Sequence, residues 1–253
     1  MPFTPTHIIA IVPIAKFARR LPISALAIGS MIPDLPMFFP AISSYHASHS
    51  FPGLFLYCLP VGLIAFLFFQ FAVKEACIAL LPLFAQQRVQ HLKQRHIPVT
   101  SGALFFVVLA IVIGSATHVF WDSFTHKDGW ATVHLSALNQ TIDLAGYTLL
   151  GYKLLQYGST LLFLPLLLLL ACRWLRRQPP DTGYCSPLSQ TSQQLALAVI
   201  LLTPVVAAVT LSILSEQSAY ILLGKTIRLS GSVWLGSLFI YSVFFRFKAK
   251  DSA

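Results

Sequence analysis

Charged residues are scarce in this chain. Asp, Glu, Lys and Arg together make up 10% of the 253 residues, whereas about 25% is usual in a soluble domain. Hydrophobic residues make up 56%, and the mean hydropathy is +0.74. A composition this apolar excludes an ordinary soluble domain and predicts an integral membrane protein.

Cysteine is scarce as well. The four cysteines are scattered along the chain, form no C-x-x-C pair and have no histidine at zinc-finger spacing. Such a distribution indicates neither a disulfide framework nor a metal site built on cysteine.

Basic residues outnumber acidic ones, by 17 Lys and Arg to eight Asp and Glu, and the net charge is +9. In so apolar a chain their positions indicate membrane orientation, and we expect no nucleic-acid partner. Thirteen of the 17 lie in residues 16–20, 74–100, 173–193 and 246–250. The positive-inside rule predicts that these segments are cytoplasmic. The N-terminus and the alternate loops would then face the periplasm of a bacterial inner membrane.

Five apolar segments approach or reach the roughly 20 residues that span a bilayer. They are 53–73, 101–121, 154–172, 194–214 and 231–247. Two shorter helices are predicted at residues 1–20 and 21–33, and the second ends at Pro33-Asp34-Leu35-Pro36. We expect these to form a tilted or half-membrane hairpin packed against the rest.

The predicted fold is therefore all-α, a polytopic helical bundle of five long spans plus the N-terminal hairpin of short helices. We expect residues 1–253 to form a single membrane domain. Within it, residues 131–253 supply an outer loop and the remaining spans.

Three polar residues stand out at the end of the second long segment. His118, Asp122 and His126 are spaced i, i+4, i+8, so a helix would place them along one face. Ionisable side chains at such a position are costly and indicate a metal site or an acid–base site. The alternative is a histidine and an aspartate that hydrogen-bond each other in a helical core.

The predicted topology places four other residues at the same membrane boundary: His7, Asp34, His46 and His49. This coincidence favours one shared site over separate pairs. Imidazoles and carboxylates are ligands for zinc and other divalent ions. His46 and His49 could both converge on the site only if one helical turn joined them. His126 could be a ligand, an outer partner or a proton donor.

At these residues a family resemblance appears. The motifs are MPFTPTH at 1–7, GSMIPD at 29–34, SHS at 48–50 and THVFWDSFTHKDGW at 117–130. They resemble the successive motifs of a bacterial multi-pass membrane family of unknown function, the DUF4184 type. The pattern is also similar to a broader group of membrane-bound metal-dependent hydrolases with a His/Asp arrangement like that of zinc phospholipase C.

The resemblance covers roughly residues 1–130, which carry the His/Asp motifs, and it implies five metal ligands. These are His7, Asp34, His49, His118 and Asp122. Pro36 stands where the hydrolase group often has a second aspartate. This departure puts a site with two metal ions in doubt and leaves a site with one.

The leading hypothesis is a hydrolase with a divalent metal, for which we expect zinc, that cleaves an ester or phosphoester at the periplasmic membrane face. A lipid or an envelope precursor would be the substrate, and His126 or His46 would move protons. Five aromatic residues suit a belt at the lipid interface: Trp121, Trp130, Tyr147, Tyr152 and Tyr157.

Two other hypotheses come from different classes of protein. One is a non-catalytic scaffold or assembly factor, in which the metal would fasten the short N-terminal hairpin to the bundle. The other is haem ligation by two membrane histidines.

Overall fold

The computed structural model describes residues 3–93, 97, 100–144, 146–215 and 219–251. The chain divides into two compact units, which are described separately. The first consists of Met1–Pro36, Pro40–Phe66 and Pro98–Arg173. The second consists of Met37–Phe39, Leu67–Ile97 and Trp174–Ala253. A single membrane domain stays a prediction.

Helices account for nearly all of the regular structure, so the all-α prediction is confirmed. The α-helices are α1 (Ile8–Phe17), α2 (Ile23–Gly29), α3 (Leu35–Phe38), α4 (Tyr45–Ser48), α5 (Phe51–Gly53), α6 (Leu59–Phe68), α7 (Lys74–Leu80), α8 (Leu83–Val89), α9 (Ser101–Thr125), α10 (Trp130–His134), α11 (Gly151–Arg177), α12 (Gln190–Leu214) and α13 (Ala219–Asp251). Short 3-10 turns span Thr4–His7, Ile32–Asp34, Gln90–Leu92 and Ser136–Asn139, and π-helical turns span Leu54–Cys58 and Phe69–Val73.

Within the part of the chain that the structure describes, five helical segments are long and apolar enough to cross a membrane, as the sequence predicts. They are Phe51–Leu80, Ser101–His134, Gly151–Arg177, Gln190–Leu214 and Leu222–Lys248.

Two segments predicted as loops are helical instead. The first long helix continues through Lys74, and α13 already includes Lys225 and Arg228. Hydrogen bonds to groups one turn earlier accommodate two of these charged side chains. Lys74 Nζ donates to Gln70 Oε1 over 3.1 Å, and Arg228 Nε donates to the Gly224 carbonyl over 3.2 Å.

The segment between α10 and α11 contains a β-hairpin that the sequence analysis did not predict. Strands β1 (Thr141–Leu144) and β2 (Tyr147–Leu150) pair antiparallel, with Thr141 opposite Leu150. Gly146 in the connecting turn has a φ of +85°, which a residue with a side chain rarely adopts. Helix α11 begins directly after this hairpin.

Two short apolar helical segments stand at the N-terminus, Thr4–Phe17 and Ile23–Phe38, and this prediction is confirmed. Met1 and Pro2, included in the predicted first helix, lie outside the described residues. The predicted stop at Pro33 is wrong. Helix α2 ends earlier, at Gly29, and two further helical turns follow as far as Phe38. Proline is tolerated there because it occupies the first turn of a new helical segment, where its missing N–H has no partner to lose.

Helix α2 packs closely on α9, as expected for a hairpin held against a long span. A side chain at Gly29 would collide with the Ile111 backbone, and one at Gly114 would collide with the Leu26 carbonyl. The absence of both side chains lets the end of α2 approach α9. Ser115 Oγ then donates to the Gly29 carbonyl over 3.0 Å, which satisfies one of the free carbonyls at the end of α2.

Candidate metal centre

Four pieces of chain bring five His and Asp residues together in the first unit. His7 ends the 3-10 turn that precedes α1, and Asp34 ends the 3-10 turn after α2. His49 follows α4 as its C-cap residue. His118 and Asp122 lie one turn apart on α9, so their side chains project from the same face.

Four of these side chains converge on a common point. One ligand atom from each of Asp34, His49, His118 and Asp122 lies within 4.8 Å of all the others. Nε2 of His118 is 3.2 Å from Nε2 of His49, 3.2 Å from Asp122 Oδ2 and 3.5 Å from Asp34 Oδ1. Bonds of 2.0–2.1 Å to a tetrahedral zinc ion separate neighbouring ligand atoms by roughly 3.3 Å. The group could therefore hold a metal ion.

Backbone carbonyls orient both imidazole rings of this group. His118 Nδ1 is 2.7 Å from the Ser30 carbonyl oxygen, and His49 Nδ1 is 3.0 Å from the Tyr45 carbonyl oxygen. A carbonyl can only accept a hydrogen bond, so each Nδ1 carries a proton and donates. In a neutral ring Nε2 then carries a lone pair. Metal-binding histidines usually have this arrangement, in which one nitrogen donates a hydrogen bond and the other is free to bind the metal.

These two lone pairs face each other. Neutral His49 and His118 would bring two acceptor nitrogens to 3.2 Å with no proton between them. A cation bound by both nitrogens removes this repulsion, and so would protonation of one ring. The carboxylates of Asp34 and Asp122 lie beside the two rings and are 3% and 4% exposed. Their negative charge would balance either a bound cation or a protonated ring.

His7 lies against this group from the N-terminal turn. Its ring is fully buried and stacks on the His118 ring, with centroids 3.7 Å apart. Its Nε2 is 3.5 Å from Asp122 Oδ1. Burial, and next the neighbouring His118, lower the pKa of His7 well below its usual value, so this ring is neutral at pH 7.

Asp34 is held as a carboxylate. Thr4 Oγ1 donates to its Oδ2 over 2.6 Å, which leaves Oδ1 directed to His118 and His49. Burial alone would raise the pKa of Asp34, but the adjacent His118 outweighs burial and lowers the pKa to about 2.

The turn that carries His49 is tied to the turn that carries Asp34. Ser48 Oγ donates to the Pro33 carbonyl over 2.7 Å. Ser44 caps the start of α4 by accepting from the Ala47 amide.

Tyr45 is a site residue that the sequence analysis missed. Its hydroxyl donates to Asp122 Oδ2 over 3.3 Å, and its ring stacks on the His49 ring with centroids 3.8 Å apart. Burial, and next the charge of Asp122, raise the pKa of Tyr45, so the phenol keeps its proton and remains a donor. Its position one turn before His49 was the available signal.

His126 lies at the edge of the cluster. The sequence predicted His118, Asp122 and His126 along one face of a helix. His126 is not on that helix, because α9 stops at Thr125 and His126 has an extended backbone. Its Nδ1 is nevertheless 3.4 Å from Asp122 Oδ2. With 32% of its side chain exposed, His126 is the most accessible histidine in contact with the carboxylates.

The structure does not bring His46 into the cluster. It lies exposed on α4, and among the described residues it has no hydrogen bond or ion pair with the group. One helical turn, Tyr45–Ser48, does contain His46, but His49 lies beyond its end as the C-cap residue, and the two rings do not converge. The predicted roles of all these residues as ligands or catalysts stay predictions.

Fold and site together define a multi-helix membrane protein with a buried His/Asp cluster that could hold a metal ion. The chain belongs to the family described as "Domain of unknown function (DUF4184)", whose model matches residues 1–244. No curated protein and no solved structure matches the chain. A relationship to the metal-dependent hydrolases therefore stays a prediction.

Proposed function

We propose that this protein is a membrane-bound hydrolase that uses one divalent metal ion, zinc by its ligand chemistry, to cleave an ester or phosphoester. The observation that supports a metal is the pair of facing imidazole nitrogens, each with its other nitrogen bonded to a carbonyl. Two histidines and two carboxylates are a ligand set that zinc accepts. A divalent ion in such a site acidifies a bound water molecule.

The chain's own residues supply the remaining chemistry. Asp34, His49 and His118 hold the ion, and Asp122 either completes its ligands or orients the attacking water. Tyr45 and Thr125 donate to Asp122 and fix the direction of its carboxylate. His126 Nδ1 lies 3.4 Å from Asp122 Oδ2, and the side chain has the exposure needed to exchange protons with solvent.

Exposed aromatic residues support a lipid or envelope precursor as substrate. In the segment after α9 and in α11, Trp130 is 70% exposed, Tyr147 74% and Tyr157 48%. Such side chains favour the level of lipid head groups. Tyr152, which the sequence placed in the same belt, is only 6% exposed and packs inward instead. In this proposal the cluster lies toward the periplasmic side of a bacterial inner membrane.

A second candidate function is a metal-stabilised scaffold or assembly factor. It is favoured by the number of protein groups at the common point, since four protein ligands are typical of structural zinc sites and three of catalytic ones. In this case the metal joins the short N-terminal segments, through Asp34, to the long helix α9.

Metal analysis of the purified protein tests the proposed site. Wild-type protein prepared in detergent without chelators should contain about one zinc ion per chain, and Asp122→Ala should contain much less. Wild type without stoichiometric metal would refute the metal centre and leave a protonated His–Asp core in its place. The visible spectrum of the same sample tests haem ligation, since a colourless sample excludes it.

His126→Ala separates the two functions. In a hydrolase it should keep the metal and the melting temperature while turnover of a generic ester or phosphoester falls by about 100-fold or more. In a scaffold no turnover exists to lose, and chelation should lower the melting temperature. Wild type that cleaves no substrate but melts earlier without metal would favour the scaffold.

A further inference from the structure

A chain of hydrogen bonds reaches the cluster from α11, outside the family motifs. Lys153 Nζ lies 2.9 Å from Gln156 Oε1, and Gln156 Nε2 lies 3.2 Å from His126 Nε2. His126 Nδ1 in turn lies 3.4 Å from Asp122 Oδ2. Gln156 is 7% exposed, so its amide is held inside the first unit.

The direction of every hydrogen bond in this chain follows from its first member. A lysine ammonium can only donate, so Gln156 presents its oxygen to Lys153 and its NH2 group to His126. The NH2 group can only donate, so His126 Nε2 must accept. In the neutral ring the proton is then on Nδ1, which lies 3.3 Å from Thr125 Oγ1 and 3.4 Å from Asp122 Oδ2.

The position of Lys153 is itself fixed. Its ammonium lies 5.5 Å from the ring centroid of Tyr152 and 5.7 Å from that of Tyr157. Two aromatic faces attract the charge and keep it beside the Gln156 oxygen. The amide therefore has little freedom to exchange its oxygen and nitrogen.

We infer that Lys153 and Gln156 are positioning residues that set the tautomer of His126 and, through it, the orientation of the Asp122 carboxylate. His126 then has no lone pair for a metal, because Nε2 accepts from Gln156 and Nδ1 is protonated. It acts as an outer partner of the cluster and directs Asp122 Oδ2 toward His118 and His49. The importance of this orientation rests on the proposed metal centre, whereas the tautomer can be measured without metal or turnover.

Nitrogen NMR of protein labelled with 15N-histidine tests the inference. At about pH 8, where an ordinary histidine is neutral, the signal lost in His126→Gln should show a proton on Nδ1 and none on Nε2. His134, whose Nδ1 lies 2.7 Å from the Trp130 carbonyl, is an internal reference for the same tautomer. A wild-type His126 with its proton on Nε2 would overturn the inference.

Gln156→Glu reverses the direction of the hydrogen bond. A carboxylate accepts from both neighbours, so His126 should gain a proton on Nε2. Gln178→Glu adds the same charge just beyond the C-terminus of α11 and should leave the His126 signals unchanged. Unchanged His126 signals in Gln156→Glu would also refute the inference. If the predicted tautomer is found in protein that contains no metal, the positioning role stands and the metal-dependent hydrolase falls.

Discussion

His46 and His49 differ by three positions in the sequence and by burial in the structure. Only His49 reaches the cluster, where its Nε2 lies 3.5 Å from Asp122 Oδ2 and 3.7 Å from Asp34 Oδ1. The sequence predicted both residues at the same membrane boundary. It could not choose between them, because the direction of a side chain at the end of a short helix depends on tertiary packing.

We expect His49→Ala to lose its metal. Removing one of four ligands should weaken zinc binding by more than about 100-fold, the upper end of the loss caused by removing an outer partner. His46→Ala, a matched change three residues away, should bind zinc like the wild type. Equal zinc contents in the two variants, measured after dialysis against a zinc buffer, would contradict the assigned ligand set.

Acid should release the metal, and the histidines should cause the release. Protons compete with the metal for the imidazole nitrogens as the pH falls. Asp34 does not compete until a far lower pH, because its pKa is about 2 and it remains a carboxylate. Zinc affinity should therefore fall as the pH is lowered toward about 5. Metal retained in full at pH 5, measured with a competing zinc indicator, would show that imidazoles do not hold it.

At the scale of elements, the site depends on the close approach of α2 and α9. Gly114 lies one turn before His118, and its missing side chain lets Ser30 reach the His118 ring. The same contact places the following turn, which carries Asp34, within reach of α9. The cluster can therefore form only if the backbones of α2 and α9 lie close together.

Gly114→Ala should destabilise the protein and reduce its metal content. A Cβ there would overlap the Leu26 carbonyl and lie 2.8 Å from the Ser30 amide nitrogen. Overpacking of this kind typically costs about 1–3 kcal/mol. Gly102→Ala is the matched control, because it lies on the same helix with no atom within 4 Å of the added carbon. Equal melting temperatures for both variants would show that α2 and α9 are not in close contact.

The elements themselves were largely predictable. Apolar runs of membrane length were sufficient to find the five long helices, because the bilayer favours helices whose backbone groups are all paired. The β-hairpin was missed, since β1 and β2 are only four residues each and lack a strong turn signal. The end of α2 was also misplaced, because prolines that open a new turn resemble prolines that end a helix.

At the scale of the whole molecule, orientation in the membrane remains a prediction from charge. Thirteen of 17 basic residues lie in segments that the positive-inside rule places in the cytoplasm. The cluster would then lie on the opposite side, near the α3–α4 connection and the segment after α9.

Labelling with a membrane-impermeant thiol reagent tests this orientation. Cys185 is free and exposed between α11 and α12, and we expect it to react only from the cytoplasmic side. Ser44→Cys, in a background with Cys172 and Cys185 replaced by serine, should react only from the periplasmic side. The reverse pattern would invert the predicted topology and place the cluster toward the cytoplasm.

The sequence by itself determined the class of the protein, its long helices and the helical face shared by His118 and Asp122. These features are local, since they depend on runs of apolar residues and on the spacing of two residues along one helix. Tertiary structure alone decided the membership of the cluster: it included His49 and excluded His46, added Tyr45, and joined Lys153 and Gln156 to His126. Such contacts link residues far apart in the sequence, and they depend on how closely backbones approach and on which way each side chain turns.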